Sequence, residues 1–113
     1  MKYRYKDLSL EQQEKLDKSR MVNKYTRTYH SKKRNKYIIN RWKILDTLNN
    51  GKILIYEEIG DQQIIKIGSR QKYNIEGYKA NLIIIYDINK NLVITCYYKE
   101  TNLNISNLGK NLK

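Results

Sequence analysis

From residue 52 to residue 99 the chain is four apolar runs separated by turn-forming residues. That spacing limits the fold more than any other feature. Residues 52–58 (KILIYEE) are nearly continuously apolar, Gly60-Asp61 suits a two-residue turn, and residues 62–68 (QQIIKIG) return. Ile65 and Ile67 share one face of that run, Ile64 and Lys66 the other. Residues 69–78 read as a long loop, a length that often carries function. Residues 79–87 (KANLIIIYD) are the most apolar run and read as the central strand. Asx residues from Asp87 to Asn91 make a turn, and residues 91–99 (NLVITCYYK) form the last strand. Alternation predicts Leu92, Ile94, Cys96 and Tyr98 toward the helices. It sends Val93, Thr95 and Tyr97 to a second, more polar face.

Upstream, the periodicity becomes helical. Ser9 followed by Gln12 fits a capping box, with a short helix running to about Arg20. Its apolar stripe is thin: Leu8, Leu10, Leu16 and Met21. Residues 24–29 (KYTRTY) read as a short strand or an extended approach to the next helix. Ser31 is a plausible N-cap for that helix. Ile38, Trp42, Leu45 and Leu48 then share one face, which predicts Trp42 in the core, with Lys36, Arg41 and Lys43 opposite. Asn49-Asn50-Gly51 ends the helix, and a break near Ile39-Asn40 would divide it in two.

The expected fold is therefore α+β, with N-terminal helices packed on one face of a four-stranded, mainly antiparallel sheet. The other face would be a concave surface open to a ligand. The expected division is a basic arm and short helix over 1–24, in which residues 1–7 read as a flexible arm or a short strand, the α+β domain over 25–99 and a tail over 100–113.

Charge narrows the partner. The formal net charge is +12, and eight Lys or Arg lie between Lys24 and Lys43 with no Asp or Glu. Overuse of Lys, Asn, Ile and Tyr matches an AT-rich coding sequence. That bias does not explain why residues 1–52 hold 15 basic and 5 acidic residues while 53–113 hold 8 and 6. An excess confined to one half points to a basic face for a polyanion. One His and one Cys cannot supply a zinc site, and no Gly-rich phosphate loop follows a strand. Neither a metal nor a cofactor is expected. Cys96 lies in an apolar run and reads as a small hydrophobe. No run approaches the roughly 20 apolar residues that span a bilayer. A cytoplasmic chain without a membrane partner is expected.

The order of three pieces resembles the RelE-like superfamily of small ribonuclease toxins, which joins barnase, EndoU, colicin-type and RelE-type domains. The closest likeness is to a compact family with an initial His-x-x-x-Arg motif. The pieces are His30-Ser-Lys-Lys-Arg34, Ile44 to Gly51 (ILDTLNNG), and Val93-Ile-Thr95-Cys-Tyr97. The resemblance covers about residues 25–99 and implies a metal-independent ribonuclease acting through attack of the 2′-OH. Such chemistry needs an acid/base group, cations on the phosphorane and a positioning group. His30 would be the acid/base. Arg34, one helical turn on, would clamp the phosphate with Arg70. Thr95 and Tyr97 would position it from the open sheet face. Lys32, Lys33, Lys36, Arg41 and Lys72 would join Arg70 in holding the RNA backbone. A toxin of this kind also implies an acidic antitoxin or immunity protein. Two other functions fit the same sequence. One is a non-catalytic nucleic-acid-binding, phage or plasmid regulatory, or inhibitor protein on the same fold. The other is a module that meets an acidic protein.

Overall fold

The computed structural model describes residues 1–28 and 39–100. The apolar runs form a continuous antiparallel set: β3 (Lys52–Ile59), β4 (Gln62–Ile75), β5 (Tyr78–Asp87) and β6 (Leu92–Lys99). Gly60 takes φ +56° at the β3–β4 turn, a conformation that a Cβ disfavours. Residues expected in the long loop are instead strand. β4 and β5 run on past their neighbours and pair from Lys72↔Asn81 to Ile75↔Tyr78, closing at Glu76 and Gly77, both with positive φ. Successive positive φ values make the mirror-image turn that matches strand twist, and Gly77 supplies the one at no steric cost.

The four-stranded, mainly antiparallel sheet with N-terminal helices on one face is not what forms. The sheet has six strands in the order β1-β3-β4-β5-β6-β2 and is mixed. β1 (Lys2–Arg4) pairs antiparallel with β3, and β2 (Thr26–Arg27) pairs parallel with β6. Two and three residues suffice because an outer strand edge offers unpaired N–H and C=O groups to any extended segment that reaches it. Residues 2–4 therefore take the strand alternative and belong to the sheet.

Two α-helices lie among the described residues, α1 (Leu10–Ser19) and α2 (Arg41–Asn50). α1 starts with the expected capping box: the Ser9 hydroxyl accepts from Gln12 N–H, and the Gln12 side chain accepts from Ser9 N–H. Leu8 and Leu16 enter the core, while Leu10 and Met21 of the expected stripe are exposed.

α2 begins at Arg41, and its face is not the expected one. Asn40 caps it, accepting from Trp42 N–H at 2.7 Å. Ile39 just before the cap and Ile44 in the helix both lie in the core cluster, the positions of a hydrophobic staple. That staple sets the rotation of the helix. Ile44, Leu45, Thr47 and Leu48 are buried, and Trp42, two residues before Ile44 and so about 200° around the axis, is 72% exposed. Gly51 joins α2 to β3 where a Cβ would lie 2.5 Å from Thr47 O and 2.7 Å from Gly68 O.

The core lies between the helices and one sheet face, built on Ile53, Tyr56, Ile65, Ile67, Leu82, Ile84, Tyr86, Val93 and Cys96. In β6 a bulge corrects the predicted alternation. Ile85 pairs with Thr95 but Tyr86 pairs with Val93, so Ile94 is the extra residue. Val93 is thereby turned into the core with Cys96.

Candidate nucleic-acid interface

α2 packs over β4 and β5, and cations from two elements reach core-side residues of the neighbouring β6. From β2, the Arg27 guanidinium donates to Cys96 Sγ at 3.3 Å. The end of β2 is tied down by Thr28, whose N–H donates to Val93 O and whose hydroxyl donates to Ile94 O. From α2, Lys43 Nζ donates to the Tyr98 hydroxyl at 3.3 Å. The same ammonium sits 4.6 Å from the Tyr73 ring centroid and 5.7 Å from that of Tyr98, a double cation–π contact. Tyr73 and Tyr98 meet edge to face at 6.1 Å. Gln71 Nε2 donates to the Tyr73 hydroxyl at 3.1 Å, and Asp46 Oδ2 accepts from the same amide at 3.5 Å.

Tyr25 completes the inner wall. Burial pushes its hydroxyl pKa up from the usual 10.0, against the pull of Arg27 and Arg41, which places both guanidinium groups in its field. Burial likewise raises Tyr73, against the Gln71 hydrogen bond. Both tyrosines are neutral donors at physiological pH. The first turn of α2 carries no acid, so Arg41 and Lys43 add to the positive end of the helix dipole. Trp42 projects outward between them in sequence.

The end of the sheet with the β3–β4 turn carries both signs: Glu57, Glu58, Asp61 and Asp87, with Lys2 opposite Glu57 and Lys90 beside Asp87. At the opposite end, the long β4–β5 hairpin, the end of β6 and the start of α2 carry Arg41, Lys43, Arg70, Lys72, Lys79 and Lys99. Asp46, Glu76 and Glu100 only half offset them.

The expected site residues fall into four groups. Arg41 is exposed at this interface. His30, Arg34, Lys32, Lys33 and Lys36 lie outside the described residues, as does the expected N-cap Ser31. Of the residues that flank that segment along the chain, Thr28 is tied to the β6 backbone and Ile39 lies in the core. Thr95 and Tyr97 are on the other side of the sheet. They pair with Ile85 and Ile83, whereas the core face carries Cys96 paired with Ile84. That second face is not an open ligand surface at this point, since Thr95 is 8% exposed and Ile83 2%. Lys72 precedes Tyr73 on β4 and by alternation is also turned from the α2 side.

Arg70 is occupied structurally, its Nε donating to Asn50 O at 2.9 Å at the far end of α2. It has a partner there in Arg20, which is buried and donates to Gly51 O while pairing with Asp17 at 3.6 Å.

Arg27, Lys43, Tyr25 and Tyr98 are absent from the expected set although the structure assembles them. The two cations belong to the acid-free basic run, which is a usable signal. Arg27 reaches Cys96 through the parallel β2–β6 pairing, and Lys43 reaches Tyr98 through the seating of α2 on the sheet, neither of which a local pattern announces.

Among the described residues no group of three His, Cys, Asp or Glu could hold a metal ion, and no helix is long and apolar enough to cross a membrane. A groove of about 260 Å³ between α1 and the β3–β4 pair brings Lys15 and Glu58 together with Ser19, Gln63 and Tyr56. Comparison with known proteins finds no matching family model, no matching curated protein and no matching solved structure.

Proposed function

We propose that this is a small RNA-binding protein that holds its ligand at the N-terminal end of α2. The observation that carries the proposal is the placing of Arg27 and Arg41 by Tyr25, and of Lys43 by Tyr73 and Tyr98, at a helix whose first turn carries no acid. Carboxylates would stabilise that first turn, and it carries cations instead. Cations there favour phosphates, and the tyrosine hydroxyls add neutral donors. The acid-free segment between Thr28 and Ile39 supplies four more Lys or Arg from the same place in the chain.

The proposal extends to cleavage. By resemblance to the RelE-like ribonucleases at His30-x-x-x-Arg34, His30 is the acid/base and Arg34 the phosphate clamp. Attack of the 2′-OH would give a cyclic phosphate without a metal. Thr95 and Tyr97 are no part of the proposed centre, because they lie on the opposite sheet face from Arg41. An acidic antitoxin or immunity protein would meet the same cations.

The test has two arms. Fluorescence anisotropy with a labelled RNA should show binding that weakens steeply with salt. Arg41→Ala should lower the salt slope by about 0.7 if one phosphate contact is lost. Total RNA from cells expressing the chain should be degraded, and His30→Ala should stop degradation while leaving binding intact. Salt-dependent binding without degradation would leave the non-catalytic RNA-binding protein. No binding at about 50 mM salt would overturn the proposal.

A further inference from the structure

We propose that Trp42 stacks on an unpaired base, so that the ligand at this interface is a single-stranded nucleic acid. The inference rests on the RNA-binding function proposed above and names the form of the ligand.

Trp42 is the sole Trp of the chain and is 72% exposed in a well-formed helix. Burying an indole would remove roughly 150–250 Å² of surface from water, and α2 forgoes it. The helix gains nothing local in return, since Trp is only a middling helix former. The core does not need it, because Ile39, Ile44 and Leu48 fill the α2 seam. The Trp42 N–H donates to the Asn40 cap, which fixes where the helix starts, and the indole lies on the outer side. An outward aromatic on a capped first turn is a platform.

Its neighbours state what would lie on it. Arg41 and Lys43 flank it in sequence, and no acid shares the turn. A ligand that offers a flat π-face together with regularly spaced negative charge matches that set. Unpaired nucleotides do so: cations follow the backbone while each base stacks on an aromatic ring. In a duplex the base faces are already stacked on one another, and only edges and phosphates are displayed. An indole at a duplex surface would have no face to meet. Lys43, already lodged against Tyr73 and Tyr98, braces the inner side of the same turn.

Trp42 reports on its own test. A labelled single-stranded RNA 12-mer and the duplex of the same sequence are titrated into the full-length protein. Anisotropy of the label and emission of Trp42 are followed together. Expected are tighter binding of the single strand, quenching of Trp42 by it, and a weaker effect of the duplex. Trp42→Ala should weaken single-strand binding about tenfold, within the range for losing one stacked base. Its salt slope should stay unchanged, because stacking releases no counterions. Trp42→Phe should restore most of the affinity, and circular dichroism should show both variants folded.

Equal binding of strand and duplex, with no quenching and no loss in Trp42→Ala, would overturn the inference while RNA binding stood. Absence of binding to either RNA would remove both. A blue shift of Trp42 emission with anionic phospholipid vesicles, without any response to RNA, would overturn it in favour of a membrane-surface anchor.

Discussion

α1 opens with Ser9 and Glu11 and closes with Lys18; α2 opens with Asn40, Arg41, Trp42 and Lys43 and closes with no base of its own. Both are ten residues long and both have a side-chain cap at the start. α1 places charge where the helix dipole wants it, each such charge contributing about 0.3–1 kcal/mol. α2 has cations at the wrong end, at a similar cost each. Its last carbonyls are instead met from outside, by Arg20 at Gly51 and Arg70 at Asn50. α1 is charged for its own stability. α2 is charged against it and is held in place by its packing, which is the pattern of an element that presents charge to something else.

That contrast can be broken most forcefully at the joint below α2. Gly51→Ala should cost at least about 2–3 kcal/mol in urea unfolding, because both atoms its Cβ meets are backbone carbonyl oxygens that cannot swing away. The backbone angle is ordinary there, so the loss would come from crowding alone. Next comes the outside clamp. Arg20→Met should lose about 2 kcal/mol, the scale of a buried charge-assisted hydrogen bond. Arg70→Met, exposed, should lose well under 1 kcal/mol.

High pH tests the core beneath both helices. Burial pushes the hydroxyls of Tyr5 and Tyr86 up to about 12, aided by the hydrogen bond and charge of Asp17 for Tyr5 and by Asp87 for Tyr86. Unfolded, each ionises near 10, so the unfolded chain releases its protons first. The stability these groups carry is complete below about pH 10 and is lost as pH rises toward 12. Urea midpoints across that window should fall, and Tyr5→Phe should fall less steeply.

Two smaller changes sharpen the comparison. Ser9→Ala should cost about 1 kcal/mol by removing the capping box of α1. Exchanging the first-turn charges should act in opposite directions on the two helices. Glu11→Arg should destabilise by about 0.5 kcal/mol, and Arg41→Glu should stabilise by a similar amount. Arg41→Glu should at the same time weaken RNA binding, which anisotropy would read. A variant that becomes more stable and binds less well is the outcome the proposed role of α2 requires.

The capping box at Ser9 and Gln12, the turn at Gly60-Asp61 and the end of α2 at Gly51 were all legible, because each depends on residues within four positions of one another. The exposure of Trp42 was not. Its spacing from Leu45 and Leu48 suits a core face, and both of those are buried, but the seam is centred on Ile44 and Leu48 with Ile39, which leaves Trp42 on the outer side. Val93 escaped for a related reason: a single bulge residue, Ile94, inverts the alternation on which its side was judged. The loop expected at 69–78 is a strand extension, since its polar residues pair in a hairpin that stands beyond the apolar centre of the sheet.

By itself the chain determined its local grammar: the four apolar strands, the cap of α1 and the stop of α2, and that the positive charge is concentrated in its first half. Those follow from side-chain period, caps and composition, which act over a few residues. Tertiary structure alone decided that residues 2–4 and 26–27 close the two edges of the sheet. It also decided that Arg27 meets Cys96 some seventy residues away, and that Trp42 faces outward. Such outcomes depend on which distant groups compete for the same core volume and the same unpaired backbone edges, and no stretch of sequence contains both competitors.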